Sequence, residues 1–257
     1  MHTVGELLRQ WRGRRGLSQL ALALAADVSP RHVSLVETGR TRPSAAMVLR
    51  LAEQLDVPLR DRNRLLLAAG FAPRYAERPL DDAALAAARR AVDRVLRAHE
   101  PYPALAFDRH WNILRTNRAV APFLAGVDPA LLRPPVNLIR LGLDPRGFAP
   151  LVVNLADVRK VFRARVGRQL AAAPDAALTA LYEELLAPGS EEAAEGPSIA
   201  DGCDVVIPMI LRIGGRELRL FSTVTTFGTP MDITLDEVAI ELYYPADEES
   251  AAEFGGR

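Results

Sequence analysis

Between Ser18 and Ser44 the chain concentrates side chains suited to contacting nucleic acid. Arg31 carries a guanidinium whose fork can take guanine O6 and N7 together. Ser34 can hydrogen-bond a base edge, and Pro30 or Leu35 can touch a thymine methyl. Gln19, placed at the start of a helix, offers an amide donor to a phosphate alongside the helix dipole. Ser29, Arg40 and Arg42 are further candidates for the phosphate backbone. His32, rotated by about 100° from Arg31 around a helix, suits a backbone contact or a packing role.

Such side chains need two short helices crossing closely, and the residues between them supply that. Ser18 can cap the first helix, and Ala23 is small enough to let a second helix approach. Asp27 falls at the turn, a residue type that tolerates the left-handed backbone more readily than most. Ser29-Pro30 then starts the next helix with a capping hydroxyl and a proline at the first helical position. Val33 and Val36, with Leu22 and Val28, face inward, while Pro30, Arg31, Ser34 and Leu35 share the outward side. Gly39 ends that helix, and Ser44 caps another. A preceding helix is expected from about Val4 to Arg15, burying Leu7, Leu8 and Trp11. Two more follow, over 44–56 with Met47, Val48, Leu51 and Leu55 at helical spacing, and over 60–70 ending at Gly70.

The net charge of zero hides an asymmetry. Residues 1–78 carry 13 Arg against 7 Asp+Glu, and the remainder is correspondingly acidic. A basic first domain ahead of an acidic second suits nucleic-acid binding by the first alone. Its 257 residues can hold two cores. Cys203 is alone, so no intramolecular disulfide is expected. The N-terminus lacks the apolar core of a signal peptide, and no apolar run nears the roughly 18 residues that cross a bilayer. A cytoplasmic protein with no membrane partner is expected.

After a linker rich in proline and a connecting helix over 81–99, the pattern changes. Two short strands, 104–108 and 111–115, are joined by a tight turn through Arg109-His110. Helical segments follow over 117–124, 129–132 and 137–141, then a long helix over 149–171 and another over 175–186. An acidic loop, GSEEAAEG, should be exposed. Strands over 205–213 and 217–227 flank Gly214-Gly215, a hairpin signal, and 238–244 makes a last strand. Two strands, several helices and three strands is the order of a PAS-like domain, an order that other α+β sheets share.

The spacing of Gln19, Ala23, Asp27, Val33, Glu37 and Gly39 resembles the repressor-like helix-turn-helix of the XRE family, which often has glycine where this chain has Asp27. In that family a charged pair commonly joins the first and recognition helices, and the resemblance suggests Arg12 and Glu37 for it. Four separated stretches, SPRHVSLVETGRTRPS, LLLAAGFAPRY, HEPYPALAFDRHWNILRTNRA and FSTVTTFGTPMDITLDEVAIELYYPAD, resemble the MmyB-like branch of XRE regulators across nearly the whole chain. The resemblance implies an α+β protein: a five-helix helix-turn-helix domain over 1–72, a linker and connecting helix over 73–100, a PAS-like ligand-binding domain over 101–247 with a five-stranded antiparallel sheet, and a flexible tail over 248–257. It also implies a transcriptional regulator with double-stranded DNA and a fatty-acid-like effector as partners. A homodimer is expected, because a single domain of this size binds DNA weakly.

A pocket should lie between the sheet and its helices. Trp111, Phe148, Phe162, Met209 and Phe221 are candidate wall residues, each also an ordinary core residue by type. Arg140, like Arg146 near a helix end, could pair with a ligand carboxylate. The hairpin alternation puts Leu218, Leu220, Ser222 and Val224 on one face and Phe221, Thr223, Thr225 and Phe227 on the other, without deciding which meets the pocket. Catalysis is not expected. The four histidines and single cysteine are scattered without metal-ligand spacing, and neither a phosphate loop nor a nucleophile motif is present. No cofactor is expected. The competing readings of the second domain are a dimerisation or protein-interaction module whose cavity is filled by its own side chains, and a haem pocket using His99 or His110.

Overall fold

The computed structural model describes residues 2–187 and 207–255. It divides into two compact units, Met1–Pro79 with Thr229–Asp236, and Leu80–Gly228 with Glu237–Arg257.

The first unit holds α1 (Val4–Arg14), α2 (Gln19–Ala25), α3 (Pro30–Glu37), α4 (Ala45–Gln54) and α5 (Leu59–Ala68). Four helix starts are fixed by side-chain caps, each satisfying a backbone N–H that the helix itself leaves open. Thr3 and Glu6 form a reciprocal capping box on α1, while Ser18, Ser29 and Ser44 accept from Ala21, His32 and Met47. Asp27 takes the left-handed backbone at the α2–α3 turn with φ 51°, and Gly39 ends α3 with φ 73°. Leu8, Trp11, Leu22, Val33, Val36, Val48, Leu51 and Leu55 close the core.

Helix α5 starts after Pro58, which has no side chain able to cap it. Its first N–H, on Leu59, is instead accepted by Asp236 Oδ2 at 3.0 Å, from a residue 177 positions away. The segment 229–236 belongs to this unit through several such contacts. Ile233 is buried with Leu59 and Tyr75, its N–H donates to Ala76 O at 2.8 Å, and Arg78 pairs with Asp232 at 2.8 Å. The stretch 73–79, expected as linker, is part of the same unit. Asn63 anchors it, accepting from the N–H groups of Arg74 and Tyr75 and donating to Tyr75 O.

The second unit runs through α6 (Ala86–Ala98), β1 (Ala104–Phe107), β2 (Ile113–Thr116), α7 (Ala121–Leu124), α8 (Leu138–Leu143), α9 (Leu155–Ala172), α10 (Ala176–Leu185), β3 (Met209–Ile213) and β4 (Arg216–Thr226). Next in the chain comes α11 (Ile233–Glu237), which falls with the first unit as far as Asp236, and then β5 (Ala239–Pro245) and α12 (Glu248–Ala252) complete the second. The five strands form one antiparallel sheet in the order β2-β1-β5-β4-β3. Gly214 and Gly215, at φ 58° and 81°, make the two-residue turn between β3 and β4. Side chains alternate across the sheet. On one face Ala104, Ala106 and Ile240 pack against Val92 and Leu96 of α6. The other face, carrying Leu105, Phe107, Leu218 and Leu220, is covered by residues of α8, α9 and α10.

Several expected elements differ. The long helix starts at Leu155 rather than 149, because Asn154 donates to Pro208 O and accepts from Ile210 N, tying that backbone to β3. Trp111 is not in a strand. Asp108 accepts from the N–H groups of His110 and Asn112, and in that turn Trp111 adopts φ 67°. Residues 129–132 form turns, not a helix. The C-terminal stretch expected as a flexible tail contains α12, capped by Asp247, with buried Ser250 accepting from Arg219 N at 2.9 Å. The acidic loop, Cys203 and the first residues of the expected third strand lie outside the described residues.

Candidate nucleic-acid interface and apolar cavity

Helix α3 presents Pro30 and Arg31 fully outward, with His32, Ser34 and Leu35 half-buried beside them. Val33 and Val36 are sealed in the core behind. Among the described residues Arg31, Arg40 and Arg42 have no ion-pair partner, which leaves three guanidinium groups available on the outward side of α3 and its following turn. His32 is half-buried, and its Nε2 is enclosed without a hydrogen-bond partner.

The outward face is held by an ion pair behind it. Arg12 on α1 donates through Nε to Glu37 Oε1 at 2.6 Å and through Nη2 to Oε2 at 2.9 Å, while Nη1 donates to Leu17 O. Glu37 is buried at the end of α3. Burial alone would raise its carboxyl, but the hydrogen bonds from Arg12 and then Gln19 more than offset this and hold it below its ordinary 4.5. The Gln19 amide donates to Glu37 Oε2 at 2.8 Å. Gln19 therefore braces the ion pair, where the sequence suggested an amide directed at phosphate. Arg14 and Arg15 lie over the Trp11 ring, and Arg15 also donates to Leu55 O and Asp56 O. Gly5, which belongs to none of the sequence motifs, lets α1 meet α3. A Cβ there would stand 2.4 Å from Val36 O and 2.7 Å from Glu37 O. A glycine near the start of an amphipathic helix was the available signal, and it is a weak one.

In the second unit a cavity of about 70 Å3 lies between the sheet and its helices. Leu105, Leu220, Met209, Phe148 and Phe162 are among its walls, and Tyr243 supplies the one side-chain oxygen or nitrogen among the described lining residues. Of the candidate wall residues, Phe148, Phe162 and Met209 line this cavity. Trp111 and Phe221 do not. Trp111 sits in the adjoining core, stacked on Phe107 at 5.0 Å and edge-on to Phe162 at 5.6 Å. Phe221 stacks on Tyr244 on the opposite face of the sheet, because odd and even residues of β4 point apart. Arg140 pairs with Glu184, and Arg146 with Asp144, both away from the cavity walls.

An ion pair with a buried carboxylate and a half-buried guanidinium, unmarked by local sequence, lies on the cavity side of the sheet. Arg165 on α9 donates to Glu241 Oε1 at 2.8 Å, Ser222 donates to the same oxygen at 2.6 Å, and the guanidinium lies 4.5 Å from the Trp111 ring centroid. An open depression of about 880 Å3 in the same unit is lined by residues of both charges, including Glu100, Arg118, Arg216 and Glu253, and it shares Phe123 with the apolar cavity. Among the described residues no group of three or more His, Cys, Asp or Glu is placed to hold a metal, and no helix is long and apolar enough to cross a membrane.

A helical unit displaying a recognition helix with free guanidinium groups, joined in one chain to a sheet unit with a cavity, is the build of a DNA-binding regulator with its own sensory domain. Residues 8–61 match the helix-turn-helix family, and residues 88–254 match the MmyB-like transcription regulator ligand binding domain. The chain belongs to the MmyB-like transcription regulators. Among solved structures, the restriction-modification controller protein C.AhdI from Aeromonas hydrophila is 36% identical, matching 23% of this chain and 89% of its own, with a TM-score of 0.22. The clp gene regulator ClgR from Corynebacterium glutamicum is 28% identical, matching 38% of this chain and 90% of its own, with a TM-score of 0.23. No curated protein matches.

Proposed function

We propose that this DNA-binding regulator acts as a cytoplasmic homodimer whose operator affinity is set by a small apolar ligand in the second unit, one with the alkyl body of a fatty acid. The observation that carries the reading is the apolar cavity between sheet and helices, walled by Met209, Phe148, Phe162 and Leu220. Its size gives the reading a mechanical consequence. About 70 Å3 is well below the ~300–1,000 Å3 of ordinary ligand pockets. A medium-length alkyl chain enters only by displacing wall side chains, and a ligand that reshapes its site has the differential affinity for two conformations that regulation requires. Met209, unbranched and flexible, is the wall residue that such displacement moves at least cost.

The same small volume favours a second reading, in which the sheet unit is a dimerisation or protein-interaction module packed by its own side chains. Native mass spectrometry of protein purified without detergent separates the two. A bound apolar molecule of defined mass on the full chain supports the sensor. A bare chain mass in every preparation, with no mass shift on adding medium-chain acyl compounds, supports the module.

A further inference from the structure

Helix α6 carries Arg89, Arg90, Arg94 and Arg97 against the single acid Asp93, although the part of the chain it belongs to is acidic. Its inner side is fixed, because Val92 and Leu96 are buried against Ala104, Ala106 and Ile240 of the sheet. Arg90, Arg94 and Arg97, at i, i+4 and i+7, are exposed and share the outward side. At 1.5 Å per residue they make a row about 10 Å long. Two of the four arginines have local work. Arg89 donates to Asp81 O at 2.8 Å and lies 3.8 Å from the Asp81 carboxylate. Arg97 donates through Nε to Asp93 O at 3.1 Å and complements the dipole at the helix end. Arg90 and Arg94 have none. Among the described residues their side chains make neither an ion pair nor a hydrogen bond.

An ordinary solvated helix face intersperses both signs of charge. Here the neighbours four residues from Arg90 are Ala86 and Arg94, and those of Arg94 are Arg90 and Ala98. Like charges at this spacing slightly destabilise a helix, so the row works against the element that carries it. It is complementary to a polyanion, and this chain has one as its partner. Residues 80–85 alone separate the end of the DNA-binding unit, at Pro79, from α6 along the chain. A duplex held by that unit is thereby tethered to α6, and a short tether raises the effective concentration of a second contact.

We propose that the outward face of α6 is a second DNA contact, in which Arg90 and Arg94 bind backbone phosphates without reading bases. The test compares the full-length parent with Arg90→Gln/Arg94→Gln by fluorescence anisotropy over about 50–200 mM salt. Two duplexes are used, the DNA flanking its own gene and a scrambled sequence of equal length. Glutamine keeps helix propensity at these exposed positions, and circular dichroism checks that the fold is retained. A charge-matched control, Arg133→Gln/Arg168→Gln, removes two other exposed arginines of the same unit that make no ion pair among the described residues. The α6 variant is expected to flatten the dependence of log affinity on log salt by about two and to bind both duplexes about tenfold more weakly. The control is expected to keep the parent's slope. Arg90→Lys/Arg94→Lys should keep it too, because a phosphate contact needs the charge more than the planar fork. A slope in the α6 variant equal to the control's overturns the proposal. So does a loss confined to the gene-flanking duplex, which is the mark of base reading. If the parent binds neither duplex, the proposal falls with it.

Discussion

Arg12 grips Glu37 with two hydrogen bonds, at 2.6 and 2.9 Å, fastening the first helix of the DNA-binding unit to the end of its recognition helix. Because Gln19 also donates to Glu37, three helices converge on one carboxylate. Glu37→Gln is expected to lower the stability of this unit by about 1–3 kcal/mol, as for other hydrogen bonds to charged groups. The carboxyl lies below 4.5 when folded, so its contribution is fully present above that value and is lost as pH falls through the lowered one. An acid unfolding series read by circular dichroism should show that slope in the parent and its reduction in the variant. An identical acid transition in both would remove the claim.

Two glycines of α1 should respond in opposite directions to alanine. A methyl group on Gly13 would meet nothing within 4 Å, so Gly13→Ala should stabilise by about 0.5–1 kcal/mol through helix propensity. Gly5→Ala gains the same propensity but drives a methyl against the α3 carbonyls of Val36 and Glu37, and overpacking of this kind costs about 1–3 kcal/mol. Thermal unfolding of both variants decides it. Stabilisation by Gly5→Ala would mean the two helices are not in close contact.

Arg31 and Arg42 should fail differently. If Arg31 reads guanine, Arg31→Ala costs about 1–3 kcal/mol and relaxes preference at one base position. Arg42→Ala weakens binding to all sequences alike and lowers the salt-dependence slope by about one, because a phosphate contact releases counterions without reading sequence. Titrations against operator and scrambled duplexes at several salt concentrations distinguish these, and a uniform loss for Arg31→Ala would reassign it to the backbone.

The segment 229–236 is a structural part of the DNA-binding unit. Ile233, 3% exposed, fills a core site with Leu59 and Tyr75, so Ile233→Ala should cost about 2–5 kcal/mol. Asp236→Ala removes the acceptor of the Leu59 N–H and should cost about 1 kcal/mol. Amide exchange should speed at Leu59 in both variants. Unchanged protection there would contradict the assignment.

What was legible in the sequence was local. Ser18, Ser29 and Ser44 act as caps, Asp27 and Gly39 take left-handed backbones, and Gly214-Gly215 turns a hairpin, all decided by neighbours within a few residues. What was not legible was set by partners far along the chain. Asn154 stops a helix because it reaches residues 208 and 210. The inward face of β4 is the one whose Leu218 and Leu220 pack beneath the sheet, and Phe221 falls on the other. Gln19 has the right chemistry for phosphate but lies within reach of Glu37, and only the fold reveals that competitor. Tyr243 carries no local signal for lining the cavity, since that depends on the apolar walls around it.

Occupancy of the apolar cavity should alter DNA binding, and fluorescence anisotropy reads that coupling. The full-length protein is titrated onto the DNA flanking its own gene, at fixed salt, with and without a saturating medium-chain acyl compound. Specific binding whose affinity shifts about fivefold or more with ligand is expected, the range of ordinary allosteric coupling. Specific binding that is unmoved by any probe shown to occupy the cavity would contradict it.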